Sequence, residues 1–190
     1  MKWSALKYSS DFYNPFDENQ RAIRGFWLTT QGIDLENLPI IFNEQFKFYE
    51  KPCHDNYYLE DRKVYLNDIV GTSYKDYGNM KIIESYMKIK RADIYIAEGV
   101  VTKKNYDNML RKPANKQDLP VILSENQEGT YFIDGNGNHR VIFYKMMMLS
   151  EIALNSTYAC DKSFNFNREL FKEIKKKYWL NVRVKKECNN

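Results

Sequence analysis

The residues best equipped for chemistry are crowded into Asp134-Gly-Asn-Gly-Asn-His-Arg140. Asp134 brings a carboxylate, His139 a ring that titrates near neutrality, and Arg140 a planar fork that matches phosphate oxygens. Apolar residues bracket them, Tyr131-Phe-Ile133 before and Val141 through Leu149 after. The pattern predicts a strand that stops at Asp134, a turn, and a helix that opens near Asn138. Gly135 and Gly137 permit positive φ and close approach of the main chain. Asn138 reads as the N-cap, which puts His139 and Arg140 in the first helical turn. There the terminal N–H groups and the helix dipole favour negative charge. The ligand this corner predicts is a phosphate, held by Gly135, Gly137, Asn138, His139 and Arg140.

Each of these residues also has a structural alternative. An Asp before Gly often bonds its own turn amides; against that, Asp134 could orient His139, hold a Mg²⁺ ion or accept a hydroxyl proton. His139 could donate to phosphate, or pack under the sheet on a backbone carbonyl. Arg140 could pair with a surface carboxylate. With no Ser or Cys partner in view, His139 does not support a hydrolase triad.

The segment Asp134–Arg140, preceded by Pro120–Ser124 and Thr130–Ile133, resembles the "DGNHR" signature of the ParB/sulfiredoxin-like superfamily. Val64-Tyr-Leu-Asn-Asp-Ile-Val-Gly71 resembles the short strand and turn that begin the same domain, and Trp179–Lys185 is placed to supply its last strand. The resemblance covers about Lys63 to Ile152. It implies an α+β fold, a small mixed sheet with packed helices, and a site for a nucleotide di- or triphosphate with Mg²⁺. It also implies that the upstream half faces the pocket, which makes Asp68 and Glu84 candidate second acids beside Asp134 and His139. Sulfiredoxins in this superfamily use a cysteine just before His-Arg; here Asn138 stands there and cannot be a thiolate nucleophile. Partition-type ParB proteins carry a helix-turn-helix domain after the nucleotide domain, whereas 41 residues follow Leu149 here, with one clear helix. Other members resemble small-molecule kinases or nucleases. Two readings stay open: an enzyme that moves or hydrolyses a phosphoryl group, and a non-catalytic regulator that binds DNA or protein.

The elements that must hold this corner follow from periodicity. Residues 1–60 are expected as an N-terminal elaboration packed on the core, and residues 61–190 as the nucleotide-binding domain with a basic C-terminal helix and strand. Gln20–Thr29 reads as helix or extended chain, since Gly25 argues against a long helix. Ile40, Ile41, Phe42, Phe46 and Tyr49 follow helical spacing, ended by Pro52. Val64–Leu66 is a short strand, and Asn79 caps a helix with Met80, Ile83, Tyr86 and Met87 on one stripe. Asp93–Ala97 alternates like a strand, and Lys103–Arg111 suggests a short helix. Glu125–Gly129 is a five-residue hairpin loop. The helix after the turn is apolar almost all round and so must be central; its three methionines read as core filler. Phe166, Leu170, Phe171, Ile174 and Tyr178 share a face of a later helix. Leu180, Val182 and Val184 alternate as a half-buried final strand.

Composition fits one folded domain with a sizeable core: 190 residues, 43% hydrophobic and 28% charged. No apolar run approaches the length that spans a bilayer, and no signal segment opens the chain. Cys53, Cys160 and Cys188 fit no metal pattern and suggest a reducing cytoplasm. The net charge of +4 is uneven, because residues 161–190 carry +5 and the remainder −1. That arm could contact nucleic acid, or be a solvated helix face.

Overall fold

The computed structural model describes residues 18–36, 38–51, 56–89, 120–155 and 168–187. The expectations for Asp93–Ala97, Lys103–Arg111, the three cysteines and His54 lie outside the described residues. Within them the chain is a mixed α+β structure, with four α-helices around a seven-stranded mixed sheet.

The helices are α1 (Glu18–Thr30), α2 (Ile82–Lys88), α3 (Asn138–Asn155) and α4 (Arg168–Lys177). The strands are β1 (Gln45–Phe48), β2 (Tyr57–Tyr65), β3 (Ile69–Thr72), β4 (Met80–Lys81), β5 (Ile122–Glu125), β6 (Tyr131–Ile133) and β7 (Trp179–Glu187). Two 3-10 turns, Ile40–Asn43 and Leu66–Asp68, link them. In the sheet the order is β2-β7-β5-β6-β3-β1-β4. β1, β3 and β6 are mutually parallel, β5 runs parallel to β7, and the remaining pairs are antiparallel.

The β5–β6 hairpin, the turn and α3 form as the apolar pattern requires. α3 is buried along most of its length, from Val141 through Ser150 without a break. It lies against Val64, Leu123, Ile133, Leu180, Val182 and Val184, the inward residues of four strands. β7 shows the alternation expected, with Leu180, Val182 and Val184 buried and Asn181 and Arg183 exposed.

Several local expectations are corrected. Ile40–Tyr49 is not one helix: a 3-10 turn gives way at Glu44 to β1, which pairs with β3 and β4 on its two sides. A four-residue strand carries too few alternations to outvote the helical spacing around it. Asn79 does not cap a helix. It sits at φ 57, the left-handed region that Asn tolerates, and its Oδ1 accepts the Phe48 N–H at 3.0 Å. α2 begins three residues later, after Lys81 N–H donates to Glu84 at 2.9 Å. The short strand expected at Val64 extends back to Tyr57, paired along all nine residues with β7.

The N-terminal part is woven into the core. Gly25 lies inside α1, and Trp27 packs on Phe143 and Tyr86 with ring centroids 4.9 and 5.9 Å away. Arg24, fully buried, donates to the Met87 and Ile89 carbonyls at 2.6 and 3.0 Å. These carbonyls end α2, where a cation is favoured by the helix dipole. The boundary expected near residue 60 falls within β2, and β1 is an interior strand.

Candidate functional site

Strand register brings the site together. Phe132 on β6 pairs with Ser124 on β5 and with Gly71 on β3, and Ser124 pairs with Lys185 on β7. Side chains two residues apart along a strand share a face. Asp134 and Ser73, each two residues beyond a paired position, therefore fall beside Ser124 and Lys185. The result is a polar knot on a carboxylate that is only 3% exposed. Asp134 Oδ2 accepts from Lys185 Nζ and from Ser124 Oγ, both at 2.8 Å, and Oδ1 accepts from Ser73 Oγ at 3.3 Å. The Lys185 ammonium also rests 4.5 Å from the Tyr57 ring centroid.

The opposite parity serves the helix. Thr72 pairs with Ile133, so its side chain turns to the α3 side, fully buried. Its hydroxyl donates to Asn138 Oδ1 at 2.6 Å and accepts the Tyr74 N–H at 3.1 Å. Asn138 is thus not the N-cap. The Gly137 carbonyl accepts the first helical bond, from Val141 N–H at 2.9 Å, and Asn138 is the first residue of α3. Its side chain is a bolt between β3 and the helix.

The two glycines have a packing reason. Gly137 stands at φ 128, and a Cβ there would lie 2.9 Å from both Val121 methyl groups. A Cβ on Gly135 would meet Ile122 Cβ at 2.9 Å. Both glycines therefore let the turn close onto the start of β5. Ile122 N–H donates to the Asn136 carbonyl and Asp134 N–H to the Ile122 carbonyl, at 3.1 and 3.0 Å, which fastens it there. One side of the turn is thus filled by Val121 and Ile122.

On the helical side, His139 and Arg140 remain half-exposed. His139 Nε2 lies 2.8 Å from the Tyr77 hydroxyl, with the rings edge to face at 5.6 Å. Tyr77 is buried, and its carbonyl accepts from Ser85 of α2 at 2.7 Å, which ties its backbone to α2. When Nε2 accepts from Tyr77, the proton sits on Nδ1, and the second nitrogen becomes a donor. Beside the phosphate and backbone-carbonyl contacts expected of it, His139 thus has a phenol as a partner.

The candidate acids do not converge. Glu84 is exposed and occupied with the Lys81 N–H. Asp68 belongs to the 3-10 turn after β2 and acts on Lys145 and Lys175, not on the Asp134 knot. Asp134 suits a Mg²⁺ ion poorly, since a lysine ammonium already stands 2.8 Å from its Oδ2. Among the described residues no three His, Cys, Asp or Glu side chains are grouped to hold a metal.

Among the described residues of the basic C-terminal arm, five basic side chains pair with the chain's own carboxylates. Lys172 pairs with Glu169 at 3.0 Å, Lys177 with Glu151 at 3.5 Å and Arg183 with Asp61 at 3.3 Å. Lys185 pairs with Asp134 at 2.8 Å and Lys186 with Glu125 at 2.5 Å. No helix among the described residues is long and apolar enough to cross a membrane.

Sequence reasoning missed Thr72, Ser73, Tyr77, Ser124 and Lys185. Thr72 ends β3 and Ser73 follows it, Ser124 and Lys185 lie within β5 and β7, and Tyr77 sits in the loop between β3 and β4, so no single local signal marks them. Compared with protein-family models, with curated proteins and with solved structures, the chain finds no match.

Proposed function

We propose that the chain is a phosphate-binding protein of the ParB/sulfiredoxin-like type, taking a nucleotide at the start of α3. The observation that carries this is the half-exposed His139–Arg140 pair, in the first turn of a helix that is otherwise buried. A rigid helix start offers its dipole and N–H groups without reorganisation. It lies beyond the carboxyl ends of parallel β3 and β6, the side of an open α/β sheet on which ligands are bound. Arg140 supplies a charge-assisted fork to the phosphate oxygens, and His139, braced by Tyr77, a second donor.

Binding is favoured over turnover. A general base or metal ligand needs an accessible carboxylate, and Asp134 is engaged by an ammonium and two hydroxyls. Its role in this reading is to lock the turn.

A thermal-shift screen of ATP, CTP, GTP and their diphosphates, with and without Mg²⁺, tests the proposal. At about 100 times the Kd, a bound nucleotide adds about 2.7 kcal/mol, or roughly 5–10 °C for a chain of this size. Arg140→Ala should fold normally and bind about 10- to 100-fold more weakly, the value of one charge-assisted hydrogen bond. An unshifted parent protein, or an Ala variant that shifts as much as the parent, would end the reading.

A further inference from the structure

β2 stands at one end of the sheet, and among the described residues no strand pairs with its outer edge. Its register with β7 runs through nine residues without a shift, from Tyr57 opposite Glu187 to Tyr65 opposite Trp179. Two hydrogen bonds fix which of its backbone groups face outward. Leu66 N–H donates to the Tyr178 carbonyl at 3.0 Å, which continues that register, so the even-numbered residues bond to β7. Arg183, opposite Asp61, turns its N–H away from β2, to the Val121 carbonyl at 2.9 Å. The N–H and C=O groups of Tyr57, Leu59, Asp61, Lys63 and Tyr65 therefore line the free edge.

Val64 faces the core, so by alternation these five side chains lie on the other face of the sheet, and all five are exposed. Leu59 and Tyr65 are apolar or aromatic; between them stand Asp61 and Lys63, of opposite charge. Asp61 stays 87% exposed although it accepts from Arg183 at 3.3 Å, and Lys63 rests 4.4 Å from the Trp179 ring centroid. A long edge strand is a template for pairing unless a bulge, a proline or an unmatched lysine blunts it. β2 has neither bulge nor proline, and its lysine is matched by an aspartate two residues away.

We propose that β2 is the interface of a homodimer, in which two copies pair edge to edge and antiparallel about a two-fold axis at Arg62. That axis sets Asp61 opposite Lys63 of the second copy and Leu59 opposite Tyr65 of the second copy, each twice by symmetry. All four residues turn their backbone groups outward, so these are the hydrogen-bonded pairs of the new ladder. Opposite charges and apolar pairs facing across a ladder stabilise it, and like charges destabilise it. Neighbouring registers fit less well. An axis at Asp61 offers Glu60 to Arg62 of the second copy, but sets the two aspartates together and Lys63 on Leu59. An axis at Lys63 sets two lysines together. At the Arg62 axis the guanidinium is drawn off the edge: its Nε bonds Glu60 at 2.9 Å, and its Nη1 reaches the Tyr131 hydroxyl of β6 at 3.4 Å.

The test uses the full chain without nucleotide. Sedimentation velocity over about 1–500 μM, the range suited to a small interface, should show the 22.7 kDa species giving way to one of twice that mass. A monomer at every concentration overturns the proposal. Amide exchange followed by NMR over the same range should show protection gained at Leu59, Asp61, Lys63 and Tyr65. A dimer that leaves those amides unprotected uses another surface, which also overturns it. Asp61→Lys or Lys63→Asp alone brings like charges together twice and should weaken the dimer about ten-fold. Both substitutions in one chain restore the pairing and should recover most of that loss. Single variants that dimerise like the parent, or a double variant that melts like the parent yet stays as weak as the singles, would remove the register and the proposal with it.

Discussion

Replacing Asp134 with Asn separates a structural carboxylate from a catalytic one. The substitution keeps the shape of a side chain only 3% exposed. It removes the charge that Lys185 faces at 2.8 Å and turns an NH₂ toward donors that approach both oxygens. A hydrogen bond to a charged group is worth about 1.5–3 kcal/mol, and breaking a fully buried ion pair costs about 3–5 kcal/mol. Lys185 is 22% exposed along its side chain and retains the Tyr57 ring, so part of its loss is recovered by water. The expected cost is thus about 2–4 kcal/mol, a fall in Tm of about 5–15 °C. Urea denaturation of Asp134→Asn, Lys185→Met and the double variant measures it. The double variant should be less destabilised than the sum of the singles by about 1–2 kcal/mol, because the second change removes a charge already unpaired. An Asp134→Asn protein that melts like the parent yet loses nucleotide binding or hydrolysis would refute this and return the carboxylate to the chemistry.

Three further outcomes follow from the same coordinates. Gly137→Ala places a Cβ 2.9 Å from both Val121 methyls at φ 128, so it should cost about 2 kcal/mol or more in urea denaturation. Arg24→Met fills similar space but leaves the Met87 and Ile89 carbonyls at the end of α2 without their donor. Chemical denaturation should show a loss of about 2–4 kcal/mol. Lys145→Met changes the pH dependence of stability. The parent's folded-state pKa is depressed below 10.5 by burial, against Glu44 and Asp68. Between that lowered value and 10.5 the unfolded chain binds the extra proton, so parental stability rises with pH through the window. Methionine removes that rise and should be the more stable side chain at neutral pH, as seen by Tm across a pH series.

How much of this was legible depends on how far apart in sequence the partners lie. The hairpin, the turn and α3 are written in adjacent residues: an apolar strand, glycines, then an apolar helix, each specified within a few positions. β1 was hidden because its pairing with β3 and β4 decides its conformation, while its own apolar spacing fits a helix. Asn79 looked like a cap because Asn serves both caps and left-handed turns, and only Phe48, across the sheet, selects between them. The glycines were legible as places of close approach, but the thing approached is Val121 and Ile122.

The same distinction orders the site. Asp134 meets Ser73, Ser124 and Lys185 from 61, 10 and 51 residues away, and Asn138 meets Thr72 from 66. Every one of these contacts follows from the register of β3, β5, β6 and β7, and register is a property of the sheet rather than of any window of sequence. Asp134 at the turn and Asn138 at the start of α3, on opposite faces of the sheet, are consequently pinned by side chains from three different strands. The half-exposed His139 and Arg140 follow directly on this anchored stretch. In the proposed binding that anchoring matters, because a donor already in place would lose little entropy on meeting an anion.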